Sequence, residues 1–169
     1  MDYRVMESPL GGILLAGDGE GLKAINFQEG DSPLQIQSDW NHSVDGFGEA
    51  VKQLDAYFEG RRTEFDLALS PEGTPFYRQV WAELERIPYG ETMSYGELAK
   101  RVGKPKAARA VGAANGRNPL PIVIPCHRVI GADGSLTGYG GGIRFKVALL
   151  ELEKKYRSIH AGDQLELAL

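Results

Sequence analysis

Residues 70–75, SPEGTP, constrain the fold strongly because the pattern of apolar residues differs on their two sides. Before this segment the chain has short apolar runs separated by glycines, which is typical of strands and tight turns. After it, apolar residues recur at the spacing of amphipathic helices. The sequence therefore predicts an α/β chain of the α+β type, with domains at residues 1–70 and 71–155 and a loosely held tail at residues 156–169.

The first domain is predicted to be a β-meander followed by a helix. Strands are expected at residues 3–6, 13–16 and 22–27, with glycine-rich turns between them. A helix is expected at residues 44–58, where apolar residues fall on one face, and residues 65–69 are expected to return as a strand. His42 lies in a polar segment, and we interpret it as solvated rather than ligating.

The second domain is predicted to be helical. Thr74 is a suitable N-cap for one helix, and Ser94 is a suitable N-cap for a shorter one. A further helix is expected to begin at Pro105 and to end at Gly116 in a left-handed cap. Two short helices joined by a glycine turn are typical of a helix-turn-helix.

The helix predicted after Pro105 is rich in alanine and glycine. Small residues favour either close packing against a neighbouring helix or close approach to another molecule, and the sequence leaves both interpretations open. Further along the chain, residues 122–124 are predicted to be extended, and residues 143 to about 154 are predicted to form the last helix.

The charge distribution differs between the two halves of the chain. The formal net charge is -4, but acidic side chains are concentrated before residue 70 and basic ones after it. No acidic residue lies between Glu97 and Asp133, and this stretch contains seven basic residues: Lys100, Arg101, Lys104, Lys106, Arg109, Arg117 and Arg128. Such a block indicates either a polyanionic partner or a solvated face whose partner acids come from elsewhere in the fold.

The chain has one cysteine, Cys126, which can form neither an internal disulfide nor a multi-thiolate metal site. A thiol is a useful nucleophile only as the thiolate, and the neighbouring His127 could take its proton if the chain turns there or if a water bridges the two side chains. Glu153 on the last predicted helix is a candidate for orienting that histidine. On chemistry alone, a buried inert cysteine is as consistent with the sequence as a reactive one.

The sequence also indicates where the protein acts. No stretch is long and apolar enough to cross a bilayer. Asp2, Arg4 and Glu7 stand where a secretory signal needs an apolar centre. We therefore expect an intracellular, cytoplasmic protein with no membrane partner.

Several short motifs resemble one known family in their order and spacing: AARAVG at residues 107–112, Asn118-Pro119, PCHRV at residues 125–129, and Gly138-Tyr139 followed by a glycine pair and a lysine-bearing helix. From about residue 74 to residue 153, the chain closely resembles the O6-alkylguanine-DNA alkyltransferases. The resemblance implies a ribonuclease H-like first domain with a small antiparallel sheet and a helix. It implies a helical second domain with a winged-helix-like helix-turn-helix.

The resemblance also implies DNA repair by direct transfer of an alkyl group from O6 of guanine, or O4 of thymine, to Cys126, which is consumed. His127 is then expected to act as the base through a bridging water, oriented by Glu153. Asn118 is expected to tie the end of the recognition helix to the active-site segment. Tyr95 is expected to give a proton to the departing guanine and to crowd the phosphate so that the nucleotide rotates.

The mode of DNA binding is likewise implied by the resemblance. The alanine-rich helix is expected to enter the minor groove of double-stranded DNA, with Arg109 replacing the extruded base in the stack. The residues expected to contact DNA are Tyr77, Tyr95, Lys104, Ala108, Arg109, Arg117 and Arg128, and those expected to line the alkylguanine pocket are Val129, Tyr139 and Gly140. A monomer without a cofactor is expected. Some relatives bind zinc through cysteines in the first domain, and this chain has none there, so no metal is expected.

Other functions fit the sequence less well. A damage-sensing protein that flips the base without chemistry is the main alternative, but such relatives have another residue at the position of Cys126. A cysteine hydrolase needs an oxyanion site and a deacylating water, and no motif for either is visible. Two departures from the family, Ala148 in place of a frequent tryptophan and Gly140 in place of a serine found in some relatives, are compatible with altered packing and a larger pocket.

Overall fold

The computed structural model describes the backbone of residues 1–167 and the side chains of residues 1–160. The N-terminal half contains a four-stranded sheet and one helix, which confirms the predicted meander. Its elements are β1 (Asp2–Ser8), β2 (Gly11–Asp18), β3 (Gly21–Phe27), β4 (Asn41–His42) and α1 (Gly48–Phe58). The strand order is β3-β2-β1-β4, antiparallel except for the parallel pair of β1 and β4.

Two expectations for this half were wrong. Helix α1 begins at Gly48 rather than at residue 44, because Phe47 has a left-handed backbone with φ of 62° that a helix cannot include. Residues 65–69 do not form a strand, although Leu69 makes an isolated parallel bridge to Leu22. The exposed His42 lies in β4, with its ring 5.2 Å from that of Tyr3.

The C-terminal half is mainly helical, as predicted. Its elements are α2 (Pro75–Leu84), β5 (Met93–Ser94), α3 (Tyr95–Arg101), α4 (Ala108–Gly116), a single turn of 3-10 helix (Cys126–Arg128), β6 (Val129–Ile130) and α5 (Ile143–Leu167). Thr74 and Ser94 cap α2 and α3 as predicted, since their hydroxyl oxygens accept hydrogen bonds from Tyr77 N (3.2 Å) and Glu97 N (3.1 Å). Helices α3 and α4 form the helix-turn-helix and pack against α2.

Several boundaries in this half differ from the prediction. Helix α4 begins at Ala108 rather than Pro105, and Gly116 is its last helical residue instead of a left-handed cap. Residues 122–124 form a turn rather than an extended segment, because Ile122 has a φ of 75°. Helix α5 continues to Leu167, well past the expected end near residue 154, so most of the predicted tail is helical; residues 168–169 lie outside the described residues.

One continuous core joins the two halves. The ring of Phe27 on β3 stacks on that of Phe145 on α5, with centroids 4.5 Å apart. The backbone of Ile25 on β3 donates a hydrogen bond to the carbonyl of Pro119 at 2.9 Å. The sheet is therefore fixed directly against the segment that leads from α4 to Cys126. Within the described residues, no helix combines the length and the apolar character needed to cross a membrane.

Candidate active site and DNA-facing surface

Cys126 is the first residue of the 3-10 turn, and Pro125 occupies the N-cap position before it. Its side chain is almost fully buried, with 4% of its surface exposed. Two asparagines hold the segment, one in the last turn of α4 and one just after the helix. Asn115 Nδ2 donates to the carbonyl of Cys126 at 3.4 Å, and Asn118 Nδ2 donates to the carbonyl of Ile124 at 2.8 Å. Asn118 therefore ties the residues that follow α4 to the segment that carries Cys126.

The surroundings of Cys126 keep it protonated. Burial raises the pKa of the thiol to about 11, against the opposing effects of a hydrogen bond from Asn118 and the positive charge of Lys146. At neutral pH the group is therefore a thiol and not a thiolate. Nucleophilic use of this sulfur requires a nearby base that takes its proton as the reaction begins.

His127 and Glu153 form a buried pair behind the thiol. The Nε2 atom of His127 lies 2.5 Å from Oε2 of Glu153, and neither side chain is more than 1% exposed. Burial alone raises the pKa of Glu153, but the hydrogen bonds and positive charges of His127 and Arg128 outweigh it and hold the pKa well below its usual range. Glu153 is therefore a carboxylate that can only accept hydrogen bonds.

These facts determine the proton positions on His127. Because the Glu153 carboxylate can only accept, Nε2 of His127 carries a proton and donates it. Burial lowers the pKa of His127, although Glu153 partly opposes this effect. The ring is therefore neutral near pH 7, and Nδ1 has a free lone pair. This Nδ1 atom is buried and has no hydrogen-bond partner among the described side chains. Nδ1 is therefore an unprotonated nitrogen that can accept a proton.

Arg128 corrects one expectation from the sequence. It was expected to contact DNA, but it is only 5% exposed and points inward. Its Nε donates to Glu153 Oε1 at 2.8 Å, its second terminal nitrogen donates to Glu153 Oε2 at 3.1 Å, and the first donates to the carbonyl of Ile87 at 2.6 Å. Arg128 therefore neutralises the buried carboxylate and is not available to a phosphate in this structure.

Sequence reasoning missed Lys146. This residue of α5 is fully buried, and its Nζ donates to the carbonyls of Val129 (2.6 Å) and Thr137 (3.1 Å). The hydroxyl of Tyr95 donates to the same Thr137 carbonyl at 2.9 Å. Lys146 therefore fixes the loop over the site and places a positive charge near Cys126. The seven-residue spacing from Lys146 to Glu153 puts both on one helix face, and this signal was available in the sequence.

A cavity of about 380 Å³ opens beside the sulfur. Among the residues that line it are Cys126, Asn118 and two predicted pocket residues, Tyr139 and Gly140. The third predicted pocket residue, Val129, is fully buried in β6 and is not part of the lining. The N-terminal half supplies another wall that the sequence did not predict, formed by Ala24, Ile25, Asn26, Phe27, Ser32 and Leu34.

The loop that carries Leu34 is held firmly against the C-terminal half. Asn26 Oδ1 accepts a hydrogen bond from the backbone of Leu34 at 2.8 Å. The backbone of Asp31 donates to the carbonyl of Gly141 at 3.1 Å. A Cβ atom at Gly30 would lie 2.5 Å from that same carbonyl, so only glycine permits the close approach. This wall of the cavity is therefore a defined part of the fold.

The structure confirms one of the two interpretations of the small residues in α4, close packing against a neighbouring helix. Val111 and Ala114 are buried against α2, where Trp81 Nε1 donates to the carbonyl of Ala114 at 2.8 Å. The opposite face exposes Arg109 and Ala113.

The remaining residues expected to contact DNA differ in exposure: Lys104 and Arg117 are exposed, whereas Tyr77, Tyr95 and Ala108 are partly exposed.

Comparison with known proteins places the chain in a family. Residues 75–155 match the model of the 6-O-methylguanine DNA methyltransferase DNA binding domain, and residues 1–71 match the model of the ribonuclease-like domain. The chain therefore belongs to the 6-O-methylguanine DNA methyltransferase family. This confirms the resemblance seen in the sequence, and the protein is a DNA repair methyltransferase with a DNA-binding domain.

Individual relatives are similar over nearly the whole chain. A methylated-DNA--protein-cysteine methyltransferase of Methanosarcina acetivorans is 55% identical over 153 residues, covering 90% of this chain and 98% of that protein. One from Mycobacterium tuberculosis strain H37Rv is 54% identical over 152 residues, covering 90% of this chain and 92% of that protein. A crystal structure of Mycobacterium tuberculosis OGT in complex with DNA has a TM-score of 0.86 and 53% identity, covering 92% of this chain and 94% of that chain.

Proposed function

We propose that Cys126 accepts the alkyl group from O6 of guanine in double-stranded DNA, and that O4-alkylthymine reacts in the same way. One observation carries this proposal: a buried thiol lies at a cavity, next in the chain to a neutral histidine that a carboxylate orients. A thiol with its pKa raised to about 11 has no useful reactivity at neutral pH without such a base.

The reaction is a displacement at the alkyl carbon. The sulfur of Cys126 forms a bond to that carbon while the bond from carbon to O6 breaks. The thiol proton passes through a bridging water to Nδ1 of His127, and the new positive charge is stabilised by the Glu153 carboxylate. The leaving guanine takes up one proton from the hydroxyl of Tyr95. Tyr95 then regains a proton from water while His127 releases its own, so the net transfer is from the thiol to guanine. The product is a thioether, which no group in the site can hydrolyse, so one molecule repairs one lesion.

The alkylated base must leave the helix to reach Cys126. Extrusion of a base costs a few kcal/mol, and contacts that replace the base offset this cost. We propose that α4 enters the minor groove with its exposed face and that Arg109 fills the gap in the stack. Ala108 on that helix, together with Tyr77, Lys104 and Arg117 outside it, is proposed to contact the DNA. Binding should weaken steeply as salt rises.

The Mycobacterium tuberculosis relative was crystallised in complex with DNA, which supports DNA as the partner of this chain. We also propose that the protein acts as a monomer and inside the cell, where its DNA substrate lies. Residues 1–70 and 71–155 are proposed as its two domains. Damage sensing without chemistry is the alternative, and the presence of Cys126 argues against it.

The test is mass spectrometry after incubation with a duplex that contains O6-methylguanine. We expect one methyl group on the peptide that bears Cys126, saturating at one group per molecule. Cys126→Ser should bind the damaged duplex like the parent protein but take up no methyl group. Absence of the adduct in the parent protein, or turnover beyond one group per molecule, would contradict the proposal.

A further inference from the structure

We infer that Tyr57, in the N-terminal half, is a positioning residue for the proton relay and couples that half of the chain to the reactivity of Cys126. The inference rests on the proposed function. Tyr57 lies on α1, is fully buried, and donates a hydrogen bond from its hydroxyl to Oε2 of Glu153 at 2.7 Å. Among the described residues, it is the one from the N-terminal half that bonds to this carboxylate.

Tyr57 contacts the carboxylate oxygen of Glu153 that also bonds to His127. Oε2 of Glu153 is the same atom that accepts the hydrogen bond from Nε2 of His127. The other oxygen, Oε1, accepts from Arg128 Nε and from the backbone of Gly90 at 2.9 Å. Because one oxygen serves both hydroxyl and imidazole, the strength of the Tyr57 bond changes how strongly Glu153 attracts the proton on Nε2.

Packing holds the hydroxyl in place. Gln53, one turn earlier on α1, makes a reciprocal pair of hydrogen bonds with the backbone of Asp66, each 2.9 Å long. The Tyr57 ring packs between Phe65 (5.6 Å) and Tyr89 (6.1 Å). Burial and the charge of Glu153 raise the pKa of Tyr57 well above its usual value. The group therefore remains protonated and remains a donor.

Removal of the hydroxyl has a definite direction of effect. Glu153 loses one donor on Oε2, so it attracts the Nε2 proton more strongly and stabilises the charged form of His127. The pH below which His127 becomes protonated, and therefore useless as a base, must rise. The ionisable groups near the relay are unchanged in this comparison: Cys126, Arg128, Lys146 and Tyr89. A purely structural role for Tyr57 would lower stability without moving this limit.

Tyr57→Phe and Tyr89→Phe form a matched pair of variants. Both remove a buried hydroxyl from neighbouring rings, but the hydroxyl of Tyr89 has no hydrogen-bond partner among the described residues. The rate of methyl transfer in a single turnover is measured with a duplex containing O6-methylguanine from about pH 5 to about pH 9. Binding of the duplex is measured in parallel with each Cys126→Ser derivative.

We expect the acid limb of the rate profile of Tyr57→Phe to lie at higher pH by about half a unit to one unit, with unchanged DNA binding. Tyr89→Phe should match the parent protein. 3-Fluorotyrosine at position 57, a stronger donor with nearly the same shape, should move the acid limb to lower pH. The same order should hold for reaction with the free base O6-benzylguanine, which requires no DNA.

The outcomes separate the two proposals. If the parent protein reacts but the acid limb stays in place for both Tyr57 variants, Tyr57 is a packing residue and the inference is wrong. An equal displacement of the acid limb in Tyr57→Phe and Tyr89→Phe would also overturn it. If the parent protein takes up no methyl group at any pH, the proposed function fails and this inference fails with it.

Discussion

The proton relay and the exposed face of α4 are built in opposite ways. The relay consists of buried charged and polar groups, and Glu153 alone accepts hydrogen bonds from four residues: Tyr57, Gly90, His127 and Arg128. The face of α4 is exposed and carries small side chains around Arg109. If the proposed roles are right, the chemistry depends on fixed geometry, whereas DNA recognition depends on space and charge.

Glu153→Gln should have the largest effect, because it changes the residue that accepts the buried hydrogen bonds of the proposed relay. The amide cannot balance the charge of Arg128 and no longer fixes the proton of His127 on Nε2. We expect transfer to fall by about a hundredfold or more and the free energy of unfolding to fall by about 3 kcal/mol. Single-turnover rates and urea denaturation at pH 7 measure the two effects.

The control for this change lies on the same helix. Glu151 is exposed, and Glu151→Gln removes the same charge from the solvent side of α5. It should leave both the rate and the stability close to those of the parent protein. Equal effects of the two substitutions would mean that the total charge of α5 matters, and not the buried bonds of Glu153.

Arg109→Ala tests the exposed region. If its side chain fills the space of the extruded base, its loss should slow transfer from duplex DNA by about tenfold to a hundredfold, which corresponds to part of the cost of extrusion. Reaction with free O6-benzylguanine should not change, because no base has to be extruded. Rates measured on both substrates give the ratio of transfer from duplex DNA to reaction with the free base.

Arg101→Ala provides the comparison for charge alone. Arg101 is an exposed basic residue at the end of α3, and its loss removes one positive charge from the same half of the chain. It should weaken duplex binding slightly at low salt and leave the ratio of the two rates unchanged. A ratio that falls equally for both variants would show that Arg109 acts only through its charge.

The sequence predicted the two regions unequally. The motif around Cys126 and His127 is local, and the caps at Thr74 and Ser94 are local too, so their places could be read directly from the chain. The buried position of Arg128 could not be predicted in this way. An arginine in an acid-free block resembles a surface residue, and its partner Glu153 lies on a separate helix. Tyr57 could not either, since only the packing of α1 against α5 brings its hydroxyl to Glu153. Contacts between residues that are far apart in the sequence cannot be predicted from the local spacing of residue types.

The cavity lies between the two regions, and Leu34→Trp tests how far the N-terminal half determines its size. Leu34 lines the cavity and is exposed, so a larger ring there should narrow the space without disturbing the core. Transfer of a benzyl group should slow by about tenfold, while transfer of a methyl group, which needs little room, should change by less than about twofold. Rates with duplexes carrying each lesion measure the difference.

Ile36→Trp is the matched control, because Ile36 has similar exposure but does not line the cavity. Equal slowing of both substrates by Leu34→Trp would place this wall at the entrance for the base rather than around the alkyl group, and the N-terminal half would then affect access instead of the range of lesions repaired.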